Sequence, residues 1–102
     1  MIKLFDVAEV VRSKNSGPYE LTFDIMFKDQ ACFEDFVKRD VMTKAVFAKL
    51  YGIEESDVLS VIAFAPSRAV KITILRPMSS GALGEKDVYG AQQHGPLLDF
   101  EY

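Results

Sequence analysis

Cysteine and histidine are nearly absent from this sequence, which contains one of each, Cys32 and His94. A single cysteine cannot form an internal disulfide, and this favours a reducing compartment. A zinc site needs four ligands at characteristic spacing, which one cysteine and one histidine cannot supply. We therefore expect no metal and no cofactor, and we interpret Cys32 as a small packed side chain rather than a nucleophile.

Long hydrophobic runs and an excess of basic charge are missing as well. No stretch reaches the roughly 18 apolar residues that a membrane span requires, and the first residues lack the apolar run of a signal peptide. The net charge is −3, whereas a general nucleic-acid partner requires a basic surface. We expect a soluble cytoplasmic protein that binds neither membranes nor nucleic acids.

Apolar residues, by contrast, are plentiful enough for a folded core. They make up 49% of the 102 residues, with 12% aromatic, which is typical of one globular domain spanning residues 1–102. Alternating apolar and polar residues predict a half-buried strand over 19–27, after a turn-forming cluster at 13–18. Residues 3–11 combine helical spacing with β-forming valines, and we interpret them as a strand.

The middle of the chain predicts two short helices, over residues 30–38 and 43–51, with Thr43 as N-cap and Gly52 closing the second. Two strands at 57–64 and 69–75 then form an antiparallel hairpin. Residues 97–100 are predicted as a last edge strand. With helices grouped between strands, the pattern indicates an α+β layer sandwich with a mostly antiparallel sheet.

Residues 76–96 form the longest segment without a periodic pattern, and they hold four of the six glycines. Such long loops in a compact domain are usually functional or disordered. Its polar side chains Tyr89, Gln92, Gln93 and His94 suggest a binding site, and His94 is the candidate for proton transfer. The segment lacks the Gly-Lys-Ser/Thr of a phosphate loop, and no nucleophile-elbow pattern supports a serine triad.

A second polar cluster, formed by Arg12, Ser13, Lys14 and Asn15, follows the first predicted strand. A guanidinium and an ammonium group beside an amide suit an anion, because arginine binds carboxylates bidentately and lysine adds a point charge. The alternative is an ordinary charged hairpin tip. We predict that the Tyr89–His94 end of the long loop meets this cluster, within one subunit or across an interface.

The sequence resembles a small bacterial family labelled a domain of unknown function. The resemblance lies in residues 4–8, 11–18 and 21–24, in Arg76-Pro77 with Ser80-Gly81, and in residues 87–94 ahead of 96–99, where the run from Tyr89 to His94 is distinctive. More distantly, the layout is similar to the C-terminal ferredoxin-fold domain of AtuA-like proteins of acyclic terpene utilisation. This resemblance implies a ferredoxin-like sandwich with two short helices on one face. It also implies that the protein is a stand-alone partner of a larger AtuA-like subunit.

Two functions remain open from the sequence. The first is an accessory or interaction subunit that assembles with itself or with an AtuA-like protein in acyclic terpene or acyl-CoA-linked acid catabolism. The second is a small enzyme or ligand-binding module for an anionic carboxylate or acyl-CoA. In it Arg12 or Arg76 would hold the anion, His94 would transfer protons, and Tyr89 or Gln92 would stabilise the developing charge.

Overall fold

A computed structural model describes residues 1–15, 19–75 and 95–102. Within these residues the chain forms four strands, four helices and two short 3-10 turns. The elements are α1 Leu4–Val7, β1 Ala8–Asn15, β2 Glu20–Phe27, α2 Gln30–Lys38, α3 Lys44–Tyr51, a 3-10 turn Glu55–Asp57, β3 Val58–Phe64, a 3-10 turn Ala65–Ser67, β4 Ala69–Leu75 and α4 Gly95–Leu98.

The strands form one sheet in the order β1-β2-β4-β3, and every pairing is antiparallel. The strands of the β1–β2 and β3–β4 pairs follow one another along the chain. The strands β2 and β4 also pair, although α2, α3 and β3 come between them in the sequence. Both α2 and α3 lie in the connection from β2 to β3. The predicted α+β class is confirmed, and the arrangement is consistent with a ferredoxin-like layer sandwich.

The core lies between one face of the sheet and the helices. Phe23 of β2 meets Phe47 of α3 edge-on at 5.0 Å between ring centroids, and Phe27 meets Phe36 of α2 at 4.9 Å. Leu4 of α1 and Leu97 of α4 are fully buried in the same cluster. Burying a side chain of this size contributes about 1.5–3 kcal/mol, so all four helices are held on this face of the sheet.

Local signals set the ends of the two longer helices. The Asp29 carboxylate accepts a hydrogen bond from the Cys32 amide at the start of α2, and the Thr43 hydroxyl accepts one from the Val46 amide at the start of α3. Gly52 closes α3 with a φ of 67°, a left-handed conformation that glycine adopts without strain. The prediction of both helices from their sequence pattern is therefore confirmed.

Three predictions at the ends of strands are wrong. Residues 3–11 are not one strand, because residues 4–7 form a helical turn before β1 begins at Ala8. The predicted turn at 13–18 is wrong for its first three residues, because β1 continues to Asn15 through pairing with β2. Residues 97–100 are not an edge strand: α4 ends at Leu98, and the backbones of Ile2 and Tyr102 pair beyond it.

The predicted long loop at 76–96 falls almost entirely outside the described residues. Its last two residues, Gly95 and Pro96, begin α4.

Candidate functional site

The second face of the sheet, opposite the helices, carries the candidate site, and we call it the open face. Side chains alternate along β2, so Phe23 faces the core while Thr22 and Asp24 lie on the open face. Both polar residues are nevertheless buried, with 5% and 7% of their surface exposed. The expectation of a half-buried strand is therefore wrong for the centre of β2, since its polar side is also largely shielded from water.

A row of alternating charges crosses the open face at Asp24. Arg12 of β1 is the cross-strand neighbour of Asp24 on one side, and Lys71 of β4 is its neighbour on the other. The Arg12 Nε donates to the Asp24 Oδ2 at 3.3 Å. The side chain of Arg12 is 59% exposed and that of Asp24 only 9%. The buried carboxylate therefore anchors an arginine whose guanidinium remains accessible to a ligand or partner.

A depression of about 410 Å³ lies over this row. Its polar lining consists mainly of Arg12, Lys14, Asp24 and Lys71, so three cations surround one carboxylate. Among the described residues the ion pairs are Arg12–Asp24 and Arg39–Asp35, and neither Lys14 nor Lys71 takes part in one. The depression therefore has positive charge that no carboxylate in these parts of the chain neutralises, which suits an anionic group.

The remaining lining of the depression is largely apolar. Met26 contributes from the central strand β2, and Ile62 and Phe64 contribute from the edge strand β3. Ile62 and Phe64 are 53% and 55% exposed, which is high for large apolar side chains. A surface that joins cations to exposed apolar groups suits a partner or ligand that carries both a carboxylate and hydrocarbon.

The four predicted residues of β1 do not form one cluster. Arg12 and Lys14 line the depression on the open face. Ser13 is paired with Phe23 and is buried at 7% exposure, so it lies on the core side of the strand. Asn15, paired with Leu21, alternates in the same way. The strand thus separates the two basic side chains from the two uncharged ones.

The other predicted site residues lie outside the described residues. They are Arg76, Ser80, Tyr89, Gln92, Gln93 and His94. The expected contact between the Tyr89–His94 segment and Arg12 or Lys14 remains a prediction.

Sequence reasoning missed Lys71, Met26, Ile62 and Phe64 as members of the site. Lys71 lies on a strand with clear alternation, so its face could be assigned once one residue of β4 was placed. Met26 is an apolar residue at a polar position of β2, and β3 is apolar at nearly every position, so the pattern does not assign Met26, Ile62 or Phe64 to a face. What the sequence did not indicate was the pairing of β2 with β4, which brings Lys71 beside Asp24.

Titratable groups elsewhere have structural explanations. Partial burial raises the pKa of the Cys32 thiol, and its hydrogen bond to Asp29 raises it further. The thiol is therefore mostly protonated at neutral pH and a poor nucleophile. Burial raises the pKa of the Tyr51 hydroxyl, opposed by a hydrogen bond involving the Leu97 backbone, and Tyr51 stacks on Phe47 in the core.

Within residues 1–15, 19–75 and 95–102, no three His, Cys, Asp or Glu side chains are grouped so that they could hold a metal ion. Across the same ranges, every helix is too short or too polar to cross a bilayer.

The fold and the site together define a small α+β protein with helices on one side of its sheet and a cationic, partly apolar face on the other. Residues 4–101 match the family described as "Domain of unknown function (DUF4387)". Because the match covers nearly the whole chain, the protein belongs to this family. Neither a curated protein nor a solved structure matches this chain.

Proposed function

We propose that this protein is an accessory or interaction subunit that assembles with itself or with a larger AtuA-like protein, in the catabolism of acyclic terpenes or acyl-CoA-linked acids. The open face is the observation that carries the proposal. It combines three cations with exposed Ile62 and Phe64, although the whole chain has a net charge of −3. Such a surface fits a partner that presents carboxylates around an apolar centre.

The sheet supplies a rigid base for this surface. Asp24 is held in the central strand β2, which pairs on both sides, and it positions Arg12 through the 3.3 Å hydrogen bond. A preorganised arginine loses less conformational freedom on binding than an unpaired one. Lys14 and Lys71 add charge on either side of this fixed point, so the face has a defined charge pattern.

Co-purification with an AtuA-like protein tests the proposal. The variant Lys14→Glu/Lys71→Glu reverses two charges on the open face and is expected to weaken capture by about tenfold or more, because like charges then oppose each other across the interface. The matched control is Lys44→Glu/Lys49→Glu, which reverses two exposed lysines of α3 on the opposite layer. The control should melt close to the temperature of the wild-type protein. Lys71→Glu sets a second carboxylate opposite Asp24 and should lower the melting temperature, so capture is compared well below the melting transition of each variant.

Capture that is equally weakened in both variants would show a general effect of net charge and would contradict the role of the open face. Undiminished capture by Lys14→Glu/Lys71→Glu would do the same.

The second function, binding of a carboxylate or acyl-CoA, is favoured by the depression itself. Its volume of about 410 Å³ falls within the range of small-molecule sites, and Arg12 lies beside apolar Met26. Thermal shift with carboxylates of increasing chain length tests it. Binding is expected to raise the melting temperature, more so for longer chains, and Lys71→Met should reduce the shift. An equal shift for acetate and a long-chain acid would contradict a contribution from the apolar lining.

A further inference from the structure

The edge strand β3 lacks the features that usually keep a sheet edge from pairing. Its sequence, Val58-Leu59-Ser60-Val61-Ile62-Ala63-Phe64, contains no charged residue and no proline. Natural proteins protect such edges with lysine, proline, bulges or a covering element. The opposite edge strand β1 follows that rule, since it carries Glu9, Arg12 and Lys14. The irregular register of β3 is confined to its start, between Val58 and Ser60.

The outer side of β3 also has no backbone partner in the described parts of the chain. β3 pairs with β4 alone, and no other described backbone group bonds to residues 59–64. In an antiparallel strand, alternate residues direct their N–H and C=O groups away from the neighbour. The outer groups of β3 are therefore available to another strand.

Side chains along β3 are exposed to an unusual degree for apolar residues. Leu59, Ile62 and Phe64 are 41%, 53% and 55% exposed, while Val58 at the start of the strand is buried. Side-chain exposure therefore increases from Val58, where the register with β4 is irregular, to Phe64, where it is regular. A flat, uncharged strand of this kind is a template for pairing with an identical strand.

We infer that β3 pairs in antiparallel fashion with β3 of a second copy of this chain. This inference rests on the proposed self-assembly and names its surface. Antiparallel pairing of a strand with its own copy closes by a twofold axis, and here it brings no like charges together. A register centred on Ile62 places Ile62 opposite its own copy and Ser60 opposite Phe64 of the second copy.

The faces agree in this arrangement. Ile62 and Phe64 pair with Lys71 and Ala69 of β4, and all four lie on the open face. Because directly opposed residues share a face, the twofold axis stands perpendicular to the sheet and puts both open faces on one side. The result is an eight-stranded sheet in which two cationic depressions flank a shared apolar centre.

The contact is small, and this sets the strength of the dimer. In this register residues 60–64 of the two copies are paired, and five residues at about 3.4 Å each give a seam of roughly 17 Å, so the contact is smaller than a standard protein interface. We therefore expect a reversible dimer with a dissociation constant on the order of micromolar to tens of micromolar.

Sedimentation or light scattering of the full chain over an about hundredfold concentration range tests the inference. The wild-type mass is expected to rise toward twice the monomer value. Ile62→Lys should remain monomeric, because it sets two lysines against each other at the centre of the seam. The control Leu75→Lys places lysine at a similarly exposed apolar position on the open face of β4, a strand that is not at the edge, and should dimerise like the wild type.

Hydrogen exchange of the wild-type protein provides a readout that does not depend on the variant folding. Within residues 60–64, the amides that point away from β4 should exchange more slowly as concentration rises, while those of β1, residues 8–15, should not change. A chain that is monomeric at every concentration would overturn the inference, as would a dimer whose β3 amides exchange at the monomer rate. Capture of the monomeric Ile62→Lys variant by an AtuA-like protein would leave the proposed function standing even then.

Discussion

Removal of Arg12 is expected to destabilise the protein more than removal of Asp24, although the two residues form one ion pair. The reason is the difference in burial, since the Asp24 side chain is 9% exposed and that of Arg12 is 59% exposed. Arg12→Met leaves a shielded carboxylate without the arginine that donates to it. Asp24→Asn leaves a guanidinium that water can solvate, and the asparagine oxygen can still accept its hydrogen bond.

Magnitudes follow from the same asymmetry. A buried charged group that loses its partner costs about 2–3 kcal/mol, so we expect Arg12→Met to lower the free energy of unfolding by about that amount. Asp24→Asn should cost about 1 kcal/mol or less, since it weakens one hydrogen bond of 3.3 Å. The double variant should be more stable than Arg12→Met alone, because the shielded carboxylate that lost its hydrogen-bonded arginine is gone.

Urea denaturation of the three variants and the wild type measures these differences. The Arg39–Asp35 pair is a matched reference, because its N–O distance is also 3.3 Å but both side chains are about half exposed, at 45% and 48%. Asp35→Asn should cost about 0.5 kcal/mol or less. If Asp24→Asn destabilises the protein as much as Arg12→Met, or if the double variant loses the sum of both, the difference in burial does not set these costs.

Three further predictions concern the helix ends. Gly52→Ala should cost about 1 kcal/mol through backbone strain alone, since φ is 67° and a Cβ would meet no atom within 4 Å; Gly52→Asn should cost less in the same urea experiment. Thr43→Ala should cost about 1 kcal/mol by removing the cap of α3, while Thr43→Ser should be nearly neutral. The hydrogen bond from the Cys32 amide lowers the pKa of Asp29 in the folded state. The ionised Asp29 carboxylate therefore contributes fully to stability above its ordinary pKa of 3.8, and this contribution is lost as pH falls through the lower pKa of the folded state. The melting-temperature advantage of the wild type over Asp29→Asn should therefore be present at pH 7 and disappear in strong acid.

The helices were predictable because their signals are local. Thr43 and Gly52 mark the two ends of α3, and the spacing of Phe33 and Phe36 sets the buried side of α2. The hairpin of β3 and β4 is also local, since residues 65–68 make a tight connection in which Arg68 adopts a positive φ of 52°. Each of these features depends on residues within a few positions of one another.

The candidate site was predictable only in part, because it depends on pairing between distant segments. Ser13 and Asn15 have turn-forming character, yet cross-strand pairing with β2 keeps them in β1. Thr22 and Asp24 follow the polar half of an alternating pattern, which is typical of a solvated face. Their burial results from the neighbouring strands, whose order the sequence does not reveal. Residues 3–11 show both helical spacing and β-forming valines because the segment contains the end of α1 and the start of β1, so a single interpretation could not fit all of it.

The position of both long helices between β2 and β3 has a consequence for how the chain folds. The sheet consists of two local hairpins, β1–β2 and β3–β4, whose strands close over short separations along the chain. Pairing of β2 with β4 is the long-range step, since 41 positions separate Phe27 from the residue it contacts through its backbone, Arg68. Hairpins form in microseconds, whereas long-range pairing must first close the intervening loop. The seam that joins the hairpins also brings Asp24 beside Lys71, so we expect the charge row on the open face to form only after both hairpins.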